Sequence, residues 1–364
     1  MSNLNRRKFI QLSGGFGLSA LTSLKSVAAT SATSPKLGVA LVGLGGYSEG
    51  LLAPALNLTN HCELRGIVTG SPAKIPSWQK RYGLLDKNIY SYDNMHELAN
   101  NPDIDIVYVV VPTSLHLKYC EIAANAGKHV WCEKPMALNT QQCQRIIDVC
   151  QKNKVKLSIG YRMQHEPNTR RFMQFKNTQP YGKFTKLVAQ AGYGGNGLAA
   201  NNWRMQKAMG GGAMYDMGVY PLNGCRFMTG QEPIAVTARH EKSHPKIFTE
   251  VDETTYFTLE FPEGLIAECA TSVVKSFSQL QMDCSDGWYA LRPMSNYTGV
   301  TGYTSDEQLF PAIKQIQQTI QMDNDALAIN GQGKLLVPGE EGLRDIHVVA
   351  AVFESAAKKQ RILL

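Results

Sequence analysis

The stretch Lys36-Leu37-Gly38-Val39-Ala40-Leu41-Val42-Gly43-Leu44-Gly45-Gly46 reads as a short apolar strand running into a tight glycine turn. A strand buried on both faces of a parallel sheet carries a near-continuous apolar run. A Gly-x-Gly turn after the first such strand lets the backbone approach a pyrophosphate at the start of the next helix. Ser48 fills the third small position of the pattern, so the motif alone states a strand, turn and helix able to hold a dinucleotide.

The neighbouring sequence supports that reading. Further strand candidates at 63–68, 106–111, 128–132 and 155–160 alternate with helical stretches near 48–58, 73–82, 93–100, 114–126 and 139–153. This alternation predicts an α/β chain with an N-terminal Rossmann domain, a doubly wound parallel sheet, over 36–160. After Tyr161 longer alternating runs appear, including 183–189, 255–261 and 265–269, the last two joined by Pro262-Glu263-Gly264 as a hairpin. Residues 161–340 are expected to form an α+β domain with an open, mostly antiparallel sheet and helices near 212–228 and 310–328. Residues 341–364 are expected to form a helix that packs back on the core.

The chain has 364 residues, 43% of them apolar, enough for two packed domains. Its formal charge is +7, but Arg6, Arg7, Lys8 and Lys25 lie in an N-terminal segment without acids; without them 33 basic residues face 30 acidic ones. That balance offers no basic footprint for nucleic acid. Residues 1–30 read as a twin-arginine signal peptide, with Arg6-Arg7 before Phe9, a weakly apolar core and Val27-Ala28-Ala29 at the cleavage site. The expectation is a periplasmic protein, free of the membrane once mature, carried by the twin-arginine machinery after it has folded around its nucleotide. The eight cysteines show no Cys-x-x-Cys pair and the histidines no His-Glu-x-x-His, so no metal is expected.

Four segments carry chemistry. After the second strand, Thr69-Gly70-Ser71-Pro72-Ala73-Lys74 offers hydroxyls, amides and a lysine but no carboxylate. A carboxylate there marks an NAD site; its replacement by a lysine suits a 2′-phosphate, hence NADP. Pro112-Thr113-Ser114-Leu115-His116 ends the fourth strand, where His116 could pack, cap the next helix or approach the nicotinamide. Cys132-Glu133-Lys134-Pro135 delivers an ammonium to the carboxyl edge of the same sheet. Gly210-Gly211-Gly212 leads a helix on which Asp216 and Tyr220, four apart, share a face; burial there is costly without a partner, and Lys134 is the expected one.

Glu133-Lys134-Pro135, Pro112-x-x-x-His116 and the Gly-Gly-Gly…Asp216-x-x-x-Tyr220 helix resemble the Gfo/Idh/MocA oxidoreductases, and within them the glucose-fructose oxidoreductase branch. The likeness runs from about residue 37 to 358 and includes Gly160-Tyr161-Arg162, Trp203-Arg204 and Pro338-Gly339-Glu340. It implies NADP contacts from Gly43, Leu44, Gly45, Gly46, Tyr47, Thr69, Gly70, Ser71, Lys74, Tyr92, Val111, Pro112, Thr113, Leu115, His116, Glu133, Lys134, Arg162, Trp203 and Arg204. It also implies catalysis by Lys134, Asp216 and Tyr220, a sugar bound by those three and Arg162, and a homodimer or homotetramer built on the outer sheet face. Tyr220 stands where most of the family carries histidine, and Thr113 where asparagine is usual. That branch also has a proline-rich arm ahead of its first strand; here only Thr30 to Lys36 follow the expected cleavage site.

The chemistry so implied is oxidation of an aldose at C1 to a lactone, with Tyr220 as acid/base and Asp216 orienting Lys134 or a neighbouring sugar hydroxyl, followed by reduction of a second sugar carbonyl to a polyol. Two alternatives stay open: an ordinary NADP-dependent sugar or polyol dehydrogenase with exchangeable cofactor, and a non-catalytic nucleotide-binding sensor.

Overall fold

A computed structural model describes residues 35–195 and 202–364. The expected signal peptide, 1–30, lies outside the described residues.

Six parallel strands form the first sheet: β1 (Leu37–Val42), β2 (Cys62–Val68), β3 (Ile89–Tyr90), β4 (Ile106–Val109), β5 (His129–Cys132) and β6 (Leu157–Ile159). Their order is β3-β2-β1-β4-β5-β6, the doubly wound arrangement. The apolar run of β1 has a two-sided destination. Val39 and Leu41 face a cluster with Ile67, Tyr108 and Trp131, while Ala40 and Val42 face the opposite cluster with Val68, Val107 and Val130. Both faces are buried, which is why the strand does not alternate with polar residues.

Nine strands form the second sheet: β7 (Phe184–Gly192), β8 (Ala235–Glu241), β9 (Thr254–Glu260), β10 (Ile266–Ser272), β11 (Phe277–Cys284), β12 (Gly287–Arg292), β13 (Thr301–Thr304), β14 (Leu309–Phe310) and β15 (Ile362–Leu363). The order is β14-β13-β12-β11-β7-β10-β9-β8-β15. Every pairing is antiparallel except β7 with β10, so the sheet is mixed but mostly antiparallel. The 262–264 turn joins β9 to β10, with Glu263 and Gly264 both at positive φ.

The helix Gln317–Ile329 begins seven residues later than the expected 310–328 and falls inside the span expected for the second domain. It packs instead on the first sheet. Met322 and Ala326 join the cluster of Val39 and Leu41, and the Asp323 carboxylate accepts the Asn60 and His61 amides at 2.8 and 2.9 Å. The last helix, Gly339–Lys358, contacts the helix Thr140–Lys152 and β8, bracing the two sheets. The expected helix near 212–228 is two elements, a π turn over Met214–Gly218 and an α-helix over Val219–Thr229. Among the described residues no helix is long and apolar enough to cross a membrane.

Candidate active site

A cleft of about 1360 Å³ runs along the carboxyl edge of the first sheet and is closed on its far side by β7, the Met214–Gly218 turn and the loop between β12 and β13. Ligand pockets commonly measure roughly 300–1,000 Å³, so the space admits a dinucleotide and a second, smaller molecule.

At one end lies the glycine turn. Gly43 has φ +93°, and a Cβ there would stand 2.4 Å from the Val110 carbonyl. Ser48 Oγ donates to the Gly43 carbonyl at 2.6 Å, so the departure from glycine at the third small position closes the turn with a hydrogen bond. Gly45 and Gly46 face open space, with nothing among the described residues within 4 Å of where a side chain would begin. Thr69, Gly70, Ser71, Lys74 and Tyr92 line the wall beside them. The Ser71 amide donates to Thr69 Oγ1 at 3.0 Å, and the Tyr92 ring lies 2.9 Å from where a Gly70 Cβ would be.

Val111, Pro112 and Thr113 line the middle of the cleft; Leu115 and His116 do not. His116 is buried behind the lining, its Nε2 2.8 Å from the Val111 carbonyl and its Nδ1 3.2 Å from that of Met136. Only the doubly protonated ring donates to both. Burial opposes that charge, but the Cys132 sulfur and the two carbonyls outweigh it and raise the pKa to about 9. Its place is therefore structural: it ties the fourth strand's exit to the segment after Lys134.

Glu133 and Lys134 follow β5. The Glu133 carboxylate is buried, accepting from Tyr108 Oη at 2.6 Å and from the Lys134 amide at 3.1 Å. Lys134 Nζ lies 4.6 Å from the centroid of the Tyr220 ring, so the two groups expected to meet across the cleft do meet. Burial disfavours the lysine's charge, but Tyr220, Asp216, Glu133 and Tyr297 outweigh it and hold its pKa above the ordinary value. Lys134 is thus an ammonium at neutral pH, a donor and a field rather than a base.

Of the two partners expected for the Asp216 carboxylate, the lysine is not the one it meets. Lys134 Nζ donates at 2.7 Å to the main-chain carbonyl of Asp216. The carboxylate accepts instead from Tyr193 Oη at 2.9 Å and Arg204 Nε at 3.2 Å, and Arg204 lies 4.4 Å from the Trp203 ring.

Arg162 is buried between Tyr220 and Tyr297, its guanidinium 5.2 and 4.5 Å from the two ring centroids. It donates to the Ser295 and Asn296 carbonyls and to Gln317, all neutral acceptors, and its Nε has no partner among the described residues. A buried cation without a facing carboxylate is costly unless an anion or a polar ligand completes it. Tyr47 reaches the same region, 5.9 Å from Tyr297, with its hydroxyl accepting from Gln318 Nε2 at 3.3 Å.

Tyr193 and Tyr297 also line the cleft but carried no motif. The signal for Tyr193 was its place at the exit of β7 before Gly194-Gly195; Tyr297 sits in a loop whose composition sets it apart from no other loop.

Residues 37–161 match the oxidoreductase family with an NAD-binding Rossmann fold, Gfo/Idh/MocA, and residues 179–290 match the C-terminal domain of the same family. The chain is 26% identical over 359 residues to a D-xylose 1-dehydrogenase [NADP(+)] of Haloarcula marismortui, covering 92% of this chain and 94% of the relative. It superimposes on the aldose-aldose oxidoreductase of Caulobacter crescentus, crystallised with glycerol, with a TM-score of 0.86 and 31% identity, covering 91% of this chain and 100% of that one. The fold is shared as well by scyllo-inositol dehydrogenase from Lactobacillus casei, with a TM-score of 0.74 at 19% identity over 90% of this chain and 99% of that one. The chain belongs to the Gfo/Idh/MocA oxidoreductase family.

Proposed function

We propose that this enzyme oxidises an aldose at C1 to a lactone with NADP and returns the hydride to a second sugar carbonyl. The observation that carries the reading is the approach of the Lys134 ammonium to Tyr220 at the carboxyl edge of the sheet. The relatives named for aldoses and for NADP(+) support the substrate class and the cofactor. The cleft suits such a cofactor: open space over Gly45 and Gly46 admits a pyrophosphate, and Thr69, Ser71 and Lys74 offer donors to a 2′-phosphate. When bound, the nicotinamide supplies the hydride acceptor and donor.

Tyr220 takes the proton of the anomeric hydroxyl as acid/base. Lys134, fixed by the Asp216 carbonyl, donates a hydrogen bond to the reacting oxygen and stabilises negative charge as it develops there. Asp216, held by Tyr193 and Arg204, accepts from a neighbouring sugar hydroxyl. Tyr297, Arg162, Tyr47 and Trp203 line the cleft around these groups.

A second reading, a one-sugar dehydrogenase that exchanges its cofactor, is favoured by the dehydrogenase named above, which aligns over most of both chains. Desalting the purified protein and adding an aldose separates the two. Reduction of a nucleotide that stayed bound supports the closed cycle, and activity only with added NADP supports the exchange. On the strength of Arg6-Arg7, we also propose twin-arginine export, which replacing both with lysine would abolish.

A further inference from the structure

Lys74 bridges two walls of the nucleotide end of the cleft. From the segment after β2 its ammonium donates to the Leu44 carbonyl at 2.7 Å, in the glycine turn, and lies 3.2 Å from the Glu49 carboxylate. Glu49 belongs to the element that follows that turn, its amide donating to the Gly45 carbonyl at 3.0 Å. The side chains are 40% and 50% exposed, so the pair adds little to stability. Its consequence is local: it offsets the charge of the lysine in the segment after β2.

That position decides between the two dinucleotides. A carboxylate on the second strand commonly accepts the ribose hydroxyls of NAD, whereas a cation there takes the 2′-phosphate of NADP. In this chain the carboxylate comes from the element after the glycine turn and faces the cation rather than coming from the β2 segment. We propose that Glu49 sets the choice between NADP and NAD by competing with the 2′-phosphate for Lys74. NADP binds by drawing the ammonium off the carboxylate while the Leu44 tether holds it in place; NAD leaves the pair intact. Glu49 therefore lowers a preference that Lys74 alone would make steep, and the cleft accepts both dinucleotides. The inference rests on the dinucleotide reading of this cleft, not on the identity of the sugar.

The test is equilibrium binding to the full chain of NADP, NAD and the nicotinamide-free fragments 2′,5′-ADP and 5′-AMP. The proteins are wild type, Glu49→Gln, Lys74→Met and the double variant. Glu49→Gln is expected to tighten NADP and 2′,5′-ADP by roughly two- to fivefold and to leave NAD and 5′-AMP unchanged. Lys74→Met is expected to weaken the 2′-phosphorylated ligands by roughly tenfold or more, and in its background Glu49→Gln should bring no gain. Equal effects of Glu49→Gln on phosphorylated and unphosphorylated ligands, or a gain that persists without Lys74, would overturn the proposal. Failure of wild type to bind any of the four would overturn the dinucleotide reading with it. Normal binding by wild type with no change in Glu49→Gln would overturn this inference alone.

Discussion

The Lys134 ammonium rests on the main-chain carbonyl of Asp216 at 2.7 Å, while the carboxylate of the same residue is bound by Tyr193 and Arg204. The aspartate thus holds the lysine with its backbone and commits its side chain to other partners.

This separation predicts unequal effects from two substitutions. Asp216→Asn keeps the carbonyl and should lower kcat by less than about tenfold while raising KM for the sugar, because one hydrogen bond to a charged group is altered. Lys134→Met removes a cation from the reacting oxygen and should lower kcat by about 10²–10³. Steady-state kinetics at saturating nucleotide checks both; equal losses of kcat would show the carboxylate acting through the lysine.

The glycine turn predicts a split between stability and binding. Gly43→Ala places a methyl against the Val110 carbonyl at φ +93° and should destabilise the fold by about 2 kcal/mol or more. Gly46 starts the helical segment and faces open space, so Gly46→Ala should hold or raise the melting temperature yet weaken dinucleotide binding. Thermal melts with and without nucleotide separate the two effects.

Much of this architecture was legible in the residues, for identifiable reasons. The strand at 37–42 carries its bounds openly because both faces are buried and glycine follows at once. Lys134 and Tyr220 were legible because proline and glycine punctuate the segments around them. Other parts had no such mark. β3 and β14 have two residues each, too few for a period, and β8, β11, β12 and β13 alternate weakly beside polar turns. That Lys134 meets Asp216 through the main chain was not legible, because a carbonyl has no letter in a sequence. Arg162 could be placed near the sugar, but its isolation from carboxylates depends on a loop more than a hundred residues away.

The buried pair His165 and Asp325 predicts opposing pH slopes. Burial pushes His165 down to about 3 and Asp325 up to about 7, and the two stand 4.0 Å apart. The histidine's folded pKa lies below its unfolded value, so its contribution is present above pH 6.5 and lost as pH falls towards 3. The aspartate's lies above its unfolded value, so its contribution is complete below pH 3.8 and lost as pH rises through about 7. Between about pH 4.5 and 6.5 the two offset each other. Relative to wild type, Asp325→Asn should gain stability as pH rises through this window and His165→Gln should lose it, each by at most about 1.4 kcal/mol per pH unit. Urea unfolding at the two ends of the window reads the sign.

The most direct test of the account is a single-turnover measurement on Tyr220→Phe loaded with NADP and mixed with an aldose. Nucleotide affinity is expected close to wild type, with reduced-nicotinamide absorbance appearing about 10²–10⁴ times more slowly. Reduction at the wild-type rate, with the cofactor bound, would contradict the assignment of the proton to Tyr220 and with it the proposed chemistry.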